Sequence, residues 1–166
     1  TVVHRGDRPQ DLIGRVREEE TYWTDMPCGS EAPFALRELK LRGLCLCAER
    51  FVGWTQAEPA LRCIRAVAGL CPECSDLLPG KASFLLEMAG YFGEKGAWEL
   101  SEKALALLRP IQKSMPDKKR AKLVWLALER EHARNLMIQR KWEEGDRLYW
   151  KVRGGIKWSD EREVEQ

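Results

Sequence analysis

No stretch of this sequence approaches the ~20 consecutive apolar residues that a membrane-spanning helix needs, and only two histidines, His4 and His132, are present. The first lack leaves no candidate membrane span. The second leaves little imidazole for metal ligation or proton transfer. No basic-then-apolar leader opens the chain, so no signal peptide is expected. No segment alternates apolar and polar residues as a half-buried strand does. No Gly-rich phosphate loop is found either: Gly90, Gly93 and Gly96 fall on or just after a helix-like stretch with no strand before it. No Ser–His–Asp order can be argued around His132, which sits on the apolar face of a long helix-like stretch and reads as a buried, hydrogen-bonded residue. The sequence therefore predicts no enzyme and no cofactor.

What is present suits one folded domain: 166 residues, 44% hydrophobic and 33% charged. Net charge is only +2 but unevenly spread. Residues 109–157 carry 14 Lys/Arg against 6 Asp/Glu, and residues 158–166 carry 1 against 4. A basic half followed by an acidic tail can steer an acidic partner.

Of the six cysteines, Cys45, Cys47 and Cys63 lie on apolar, helix-like stretches, where free Cys behaves as a small hydrophobe. The expected setting is an intracellular reducing compartment: cytoplasm, nucleus or an organelle matrix. Cys71-Pro72-Glu73-Cys74 has the spacing of half a zinc site or a redox pair. No second C-x-x-C completes it and no strand precedes it, so it reads as a turn, with no metal site. Arg5-Gly6-Asp7 is a chance tripeptide on the same reading.

Trp54, Trp98 and Trp142 are spaced 44 residues apart, and their surroundings recur. Two before each stand Val52, Gly96 and Arg140, where a helix should end. Three after come Ala57, Ser101 and Gly145; nine before come Cys45, Ala89 and Ala133, all small. Leu61, Leu105 and Tyr149 follow at seven, and Ile64, Leu108 and Val152 at ten. A period of this size predicts stacked helical pairs. Each tryptophan is expected to open a second helix and fill the space beside the turn.

The helices follow from their punctuation. Asp7-Arg8-Pro9 caps a first helix to about residue 23, with Leu12, Ile13, Val16 and Trp23 on one stripe. Ser30 and Pro33 open a second, to about residue 51. Thr55 to Glu58 has capping-box spacing for a third, ending near residues 69–70. Residues 71–80 form a loop, 81–95 a helix, and 98–109 its partner, which Pro110 kinks or ends. Ser114-Met115-Pro116-Asp117 opens a long helix to about residue 139, and 142–152 follows, stopped by Gly154-Gly155. The expected organisation is an N-terminal helix and loop over 1–29, three helical hairpins over 30–155, and an acidic tail over 156–166, in which Ile156 and Trp158 can dock.

This pattern resembles the tetratricopeptide repeat, with longer helices than that family's usual period gives. The second unit matches best: Leu85, Met88, Ala89, Phe92, Gly96, Trp98, Ser101, Leu105 and Leu108. The third departs from it, with Glu129 and His132 at apolar positions and Gly145 within a helix. The resemblance implies an all-α, right-handed stack of about three hairpins, an α-solenoid with an extra N-terminal helix. It further implies a non-enzymatic scaffold within a hetero-complex, holding a partner helix or an extended acidic–apolar segment on the concave face. Carried over by position, that face holds Arg42, Leu46, Glu49 and Arg50, then Leu86 and Glu94, then Arg130, Arg134 and Met137, with Leu39, Ser83, Gly90, Gly93, Ala127 and Ile138 around them. The alternative is an RNA-binding subunit of a ribonucleoprotein, using Lys118, Lys119, Arg120, Lys122, Arg140 and Lys141 with the interleaved Trp125, Trp142, Tyr149 and Trp150. Against it, those aromatics at helical spacing read as core.

Overall fold

The computed structural model describes the backbone of residues 8–164 and the side chains of residues 8–154. Among them the regular structure is helical: α1 (Pro9–Asp25), α2 (Phe34–Gly53), α3 (Ala57–Gly69), α4 (Leu78–Glu94), α5 (Trp98–Ser114), α6 (Lys118–Ile138) and α7 (Trp142–Val164), with a 3-10 turn at Ser75–Leu77. None of these helices is long and apolar enough to cross a membrane. The chain divides between Leu77 and Leu78 into two compact units. The first holds α1 to α3 and the 3-10 turn, the second α4 to α7. His4, the Asp7 cap and the Arg5-Gly6-Asp7 tripeptide lie outside the described residues, as do the side chains of the acidic tail, Ile156 and Trp158.

Three turns share one hydrogen-bonding scheme. Gln56 N–H reaches back to Phe51 O and Thr55 N–H to Val52 O. Ala97 to Phe92 and Gly96 to Gly93 repeat the scheme, as do Lys141 to Leu136 and Arg140 to Met137. In each the residue that closes the helix has positive φ: Thr55 (56°), Gly96 (76°) and Arg140 (61°). This is the Schellman ending, which satisfies the last helical carbonyls by a left-handed residue. These turns correct the register of the first hairpin. The turns at Gly96 and Arg140 are 44 residues apart, but those at Thr55 and Gly96 only 41. Trp54 therefore ends α2, whereas Trp98 and Trp142 open α5 and α7. The small residues move accordingly. Ala48 and Ala60 are fully buried in the first hairpin, while Cys45 is half-buried and Ala57 exposed. The tryptophans do not fill the corners alike: Trp54 and Trp98 are half-buried and Trp142 is 58% exposed.

Other ends differ for local reasons. Thr55 is committed to closing α2, so it caps nothing and Gln56 stands at the N-cap of α3. Ser30 makes no cap; Pro33 precedes the first residue of α2. The 71–80 loop is shorter than expected, because α4 begins at Leu78 with Pro79 in its first turn, where a missing N–H costs nothing. Pro110 neither ends nor shortens α5, which continues to Ser114. α7 runs through Gly154 and Gly155 to Val164; glycine weakens a helix by about 1 kcal/mol but does not forbid it. The Asp117 cap forms as expected, accepting from the N–H groups of Lys119 (3.0 Å) and Arg120 (3.1 Å).

In the first unit α2 packs against both α1 and α3. Leu44, Cys47, Ala48, Phe51, Leu61, Cys63, Ile64 and Val67 form its core. Trp23 of α1 lies flat on Gly43 of α2: a Cβ there would sit 2.2 Å from the ring. Lys40 donates to the carbonyls of Thr24 and Met26 at 3.1 and 2.7 Å, closing the end of α1 with a cation. The buried Glu20 accepts two bonds from Arg62 (2.6 and 2.9 Å), tying α1 to α3. Burial and the nearby Glu19 push the Cys47 thiol up to about 11, against the lowering effect of Arg50. Burial and Glu20 likewise raise that of Cys63. Both stay protonated, as core residues.

In the second unit α6 lies against both α4 and α5, and α7 lies against α6. The small pairs are Ala89 with Ser101 and Ala133 with Gly145. Ser101 Oγ donates to Ala89 O at 2.8 Å. A Cβ on Gly145 would meet Met137 Sδ at 2.8 Å and Ala133 O at 3.2 Å. Gly145 is thus required by close packing, and the third hairpin is not degenerate at that position.

Two glycines of the first unit, Gly43 and Gly14, give a direct check of the α1–α2 contact. Gly43→Ala should destabilise by about 1–3 kcal/mol through overpacking against Trp23. Gly14→Ala, with nothing within 4 Å of the added carbon, should stabilise by roughly 0.5–1 kcal/mol. Urea denaturation of the two variants beside the parent chain measures both signs.

Candidate partner-binding groove

α4 and α6 run in the same direction, since Arg134 meets Gly90 and Gly93 while Arg120 and Leu123 share a hollow with Ser83 and Leu86. Residues 83, 86, 90 and 93 lie on one face of α4, and 120, 123, 127, 130 and 134 on one face of α6. At one end the faces touch. Arg134 donates to Gly90 O at 2.9 Å and pairs with Glu131, its guanidinium filling the space that a side chain at Gly93 would take. At the other end they part over a hollow of ≈ 410 Å³ lined by Pro79, Ala82, Ser83, Leu86, Met115, Arg120, Leu123 and Val124. Ala82 and Met115 are buried on its floor, and Leu123 stands 55% exposed on its rim. Arg120 and Arg130 are exposed along the same face of α6. An apolar slot with one guanidinium, that of Arg120, at its edge suits an apolar side chain followed by a carboxylate.

The expected groove residues fall into two sets. On the first unit Arg42 and Leu46 are 72% and 51% exposed, and Glu49 is exposed beside them on α2. Arg42 pairs with Glu38 (2.9 Å), whereas Arg50 turns onto α1 and pairs with Glu19 (2.7 Å). On the second unit Leu86 lines the hollow, and Glu94, Arg130 and Met137 are exposed. Arg134 is held against α4. Pro79, Ala82, Met115, Leu123 and Val124 were not expected at a site. The one sequence hint was Leu123, an apolar residue one turn from Arg120 on a charged helix face, which does not by itself say what lies opposite.

The six cations of the alternative face are all exposed, but they do not form one patch. Lys118, Lys119, Arg120 and Lys122 open α6, while Arg140 and Lys141 follow its far end, ~30 Å away at 1.5 Å per residue. The interleaved aromatics are not core, contrary to expectation. Trp142, Tyr149 and Trp150 are 58%, 48% and 57% exposed, and Trp125 is half-buried beneath the Lys151 ammonium.

The side of α6 away from the groove is a polar seam with α5. Arg109 pairs with Glu129 at 2.5 Å, and His132 Nδ1 lies 2.8 Å from Glu102. Asn135, fully buried, donates to Glu102 and to Ser101 Oγ at 2.8 Å each. The bond to Glu102 raises the pKa of His132, against partial burial. Burial raises that of Glu102, but the bonds from His132 and Asn135 outweigh it and the net shift is downward. His132 is thus hydrogen-bonded, as expected, but only half-buried, and it lies on a polar seam rather than an apolar face.

Cys71 and Cys74, expected to be a plain turn, are joined by a disulfide across it. Their sulfurs and the Glu73 carboxylate lie within 4.8 Å of one another, but a bridged sulfur offers no thiolate to a metal. Cys28, Cys45, Cys47 and Cys63 take part in no disulfide.

The chain matches no protein-family model, no curated protein sequence and no solved structure.

The His132–Glu102 pair fixes a pH dependence. A raised histidine pKa contributes stability below its unfolded value of 6.5, and that contribution is lost as pH rises through the folded value. A lowered carboxylate contributes above 4.5 and is lost as pH falls through its folded value. The stability difference between the parent chain and His132→Gln should therefore peak between those two pH values, shrinking as pH rises through the raised histidine value and as it falls through the lowered carboxylate value. Denaturation midpoints across pH 4–9 measure it; a difference flat across that range contradicts the pairing.

Proposed function

We propose that the chain is a non-enzymatic interaction module, a tetratricopeptide-like stack of helical hairpins that holds an acidic–apolar segment of a partner protein in the α4–α6 groove. The observation that carries this reading is the hollow itself: Leu123 and Leu86 face open space, with Arg120 on the rim and Arg130 beyond it. The parallel run of α4 and α6, with α5 antiparallel against α6, supports the hairpin stack. The guest places an apolar side chain between Leu86 and Leu123 and a carboxylate against a guanidinium, and α6 needs no large movement to admit it.

Selection of displayed random peptides against the full chain tests this. Enriched peptides should share an apolar residue followed within a few positions by Asp or Glu. Leu123→Asp should weaken their binding at least about tenfold, or ~1.4 kcal/mol. Arg120→Glu should weaken it too, with reduced salt dependence. Enriched peptides indifferent to both substitutions contradict the reading.

A second reading, RNA binding, rests on a different hollow of ≈ 290 Å³ lined by Gln112, Lys113, Lys118, Ala121, Lys122 and Trp125. Lysines around an indole suit the phosphates and bases of a single strand. Affinity for an oligouridylate should then fall with salt, with a log–log slope of about −0.7 per phosphate contact. Lys118→Ala and Lys122→Ala should flatten that slope; binding insensitive to salt rejects the reading.

A further inference from the structure

α7 repeats the chemistry of α5, but its outer face is open. On α5, Glu102, Leu105 and Arg109 face α6: Glu102 is met by His132 and Asn135, Arg109 by Glu129, and Leu105 is 1% exposed. Rising numbers on α5 meet falling numbers on α6, so these helices are antiparallel. Forty-four residues on, Asp146, Tyr149 and Arg153 occupy the same positions relative to the turn. The register is the same, because Gly145 and Val152 are buried as Ser101 and Leu108 are. Yet Asp146 and Arg153 are exposed, and so are Trp142, Tyr149 and Trp150. The Arg153 guanidinium lies 5.0 Å from the centre of the Trp150 ring, over an indole that faces solvent. Three exposed aromatics within nine residues form a patch of the kind that marks an interface.

The charge pattern identifies the occupant. Asp146 and Arg153 are seven residues, two helical turns, apart on one face. A two-fold copy of that face, set antiparallel as α6 is on α5, brings Arg153 of one chain opposite Asp146 of the other, and the reverse. The two ion pairs bracket Tyr149 and Trp150 at the centre. We propose that the outer face of α7 is a self-association surface that pairs two copies of this chain in an isologous, antiparallel dimer. It is distinct from the α4–α6 groove and leaves it open.

Sedimentation equilibrium of the full chain from about 1 to 500 μM tests this. The expected result is a monomer–dimer equilibrium that Trp150→Ser weakens at least tenfold. Asp146→Arg and Arg153→Asp, each replacing an exposed side chain, should each weaken it at least tenfold by placing like charges together. Because folding could be affected, the decisive arm mixes the two single variants: the face of one is then wholly basic and that of the other wholly acidic, and a 1:1 heterodimer should form. The double variant Asp146→Arg/Arg153→Asp should recover the homodimer. A monomer at every concentration overturns the proposal, as does a dimer indifferent to charge reversal or a mixture that stays monomeric. A monomer that instead binds an oligouridylate in a Trp150-dependent way also overturns it, and assigns the face to nucleic acid.

Discussion

Each hairpin carries two buried small residues twelve apart in sequence, Ala48 and Ala60, Ala89 and Ser101, Ala133 and Gly145, and in the last two the pair is in contact. The left-handed residue that closes the first helix always stands seven after the first of the pair and five before the second. Seven residues are two helical turns, so the small residue and the chain reversal share a face. Backbones can then approach closely enough for Ser101 Oγ to reach Ala89 O at 2.8 Å. The larger residues that flank each pair follow from this. Phe51 and Phe92 occupy the same step before the turn, and Ile64 and Leu105 the same step after it; all four are buried.

That constraint explains how much of the fold was legible. All-helical structure among the described residues, the Asp117 cap and the small pairs of the last two hairpins could be read directly, because Trp98 and Trp142 stand in true register; several helix ends could not, since α5 runs past Pro110 and α7 past Gly154-Gly155. The first hairpin misled because Gly53-Trp54 looks like a turn with its aromatic, while the turn itself uses Thr55 at φ 56°. A β-branched residue is among the last that local rules would place in the left-handed region. There the back-bonds to Phe51 and Val52 offset the local preference, and such an override is invisible to spacing. The groove was half-legible for a related reason. Leu86 followed from its position on α4. Its counterpart Leu123 needed the relative placement of α4 and α6, which forms between residues about forty apart.

The third hairpin carried a different lesson. Glu129 and His132, spaced three apart, break the apolar pattern and read as departures from the repeat; in the structure Asn135, three further on, joins them. Each is instead answered from α5, by Arg109, Glu102 and Ser101. A buried polar group costs free energy only when it lacks a partner. The partners here are 20 to 34 residues away, so the sequence shows the cost without the compensation. The aromatics of α7 err in the opposite sense: helical spacing marks them as core, but no other helix among the described residues covers them.

The polar seam also bears on the groove, because both are built on α6. Glu129, His132 and Asn135 occupy one side of that helix, and Arg120, Leu123 and Arg130 another. An apolar seam tolerates sliding, since one methyl group replaces another at little cost. Three hydrogen-bonded contacts do not. Sliding α6 by one turn, about 5.4 Å, would leave Arg109, Glu102 and Asn135 without their partners, and stranding one member of a part-buried pair costs more than the intact pair contributes. The seam therefore adds little net stability but fixes the register of α6. A fixed register keeps Leu123 across from Leu86 and holds the hollow between α4 and α6 open, rather than letting the two apolar faces close on each other.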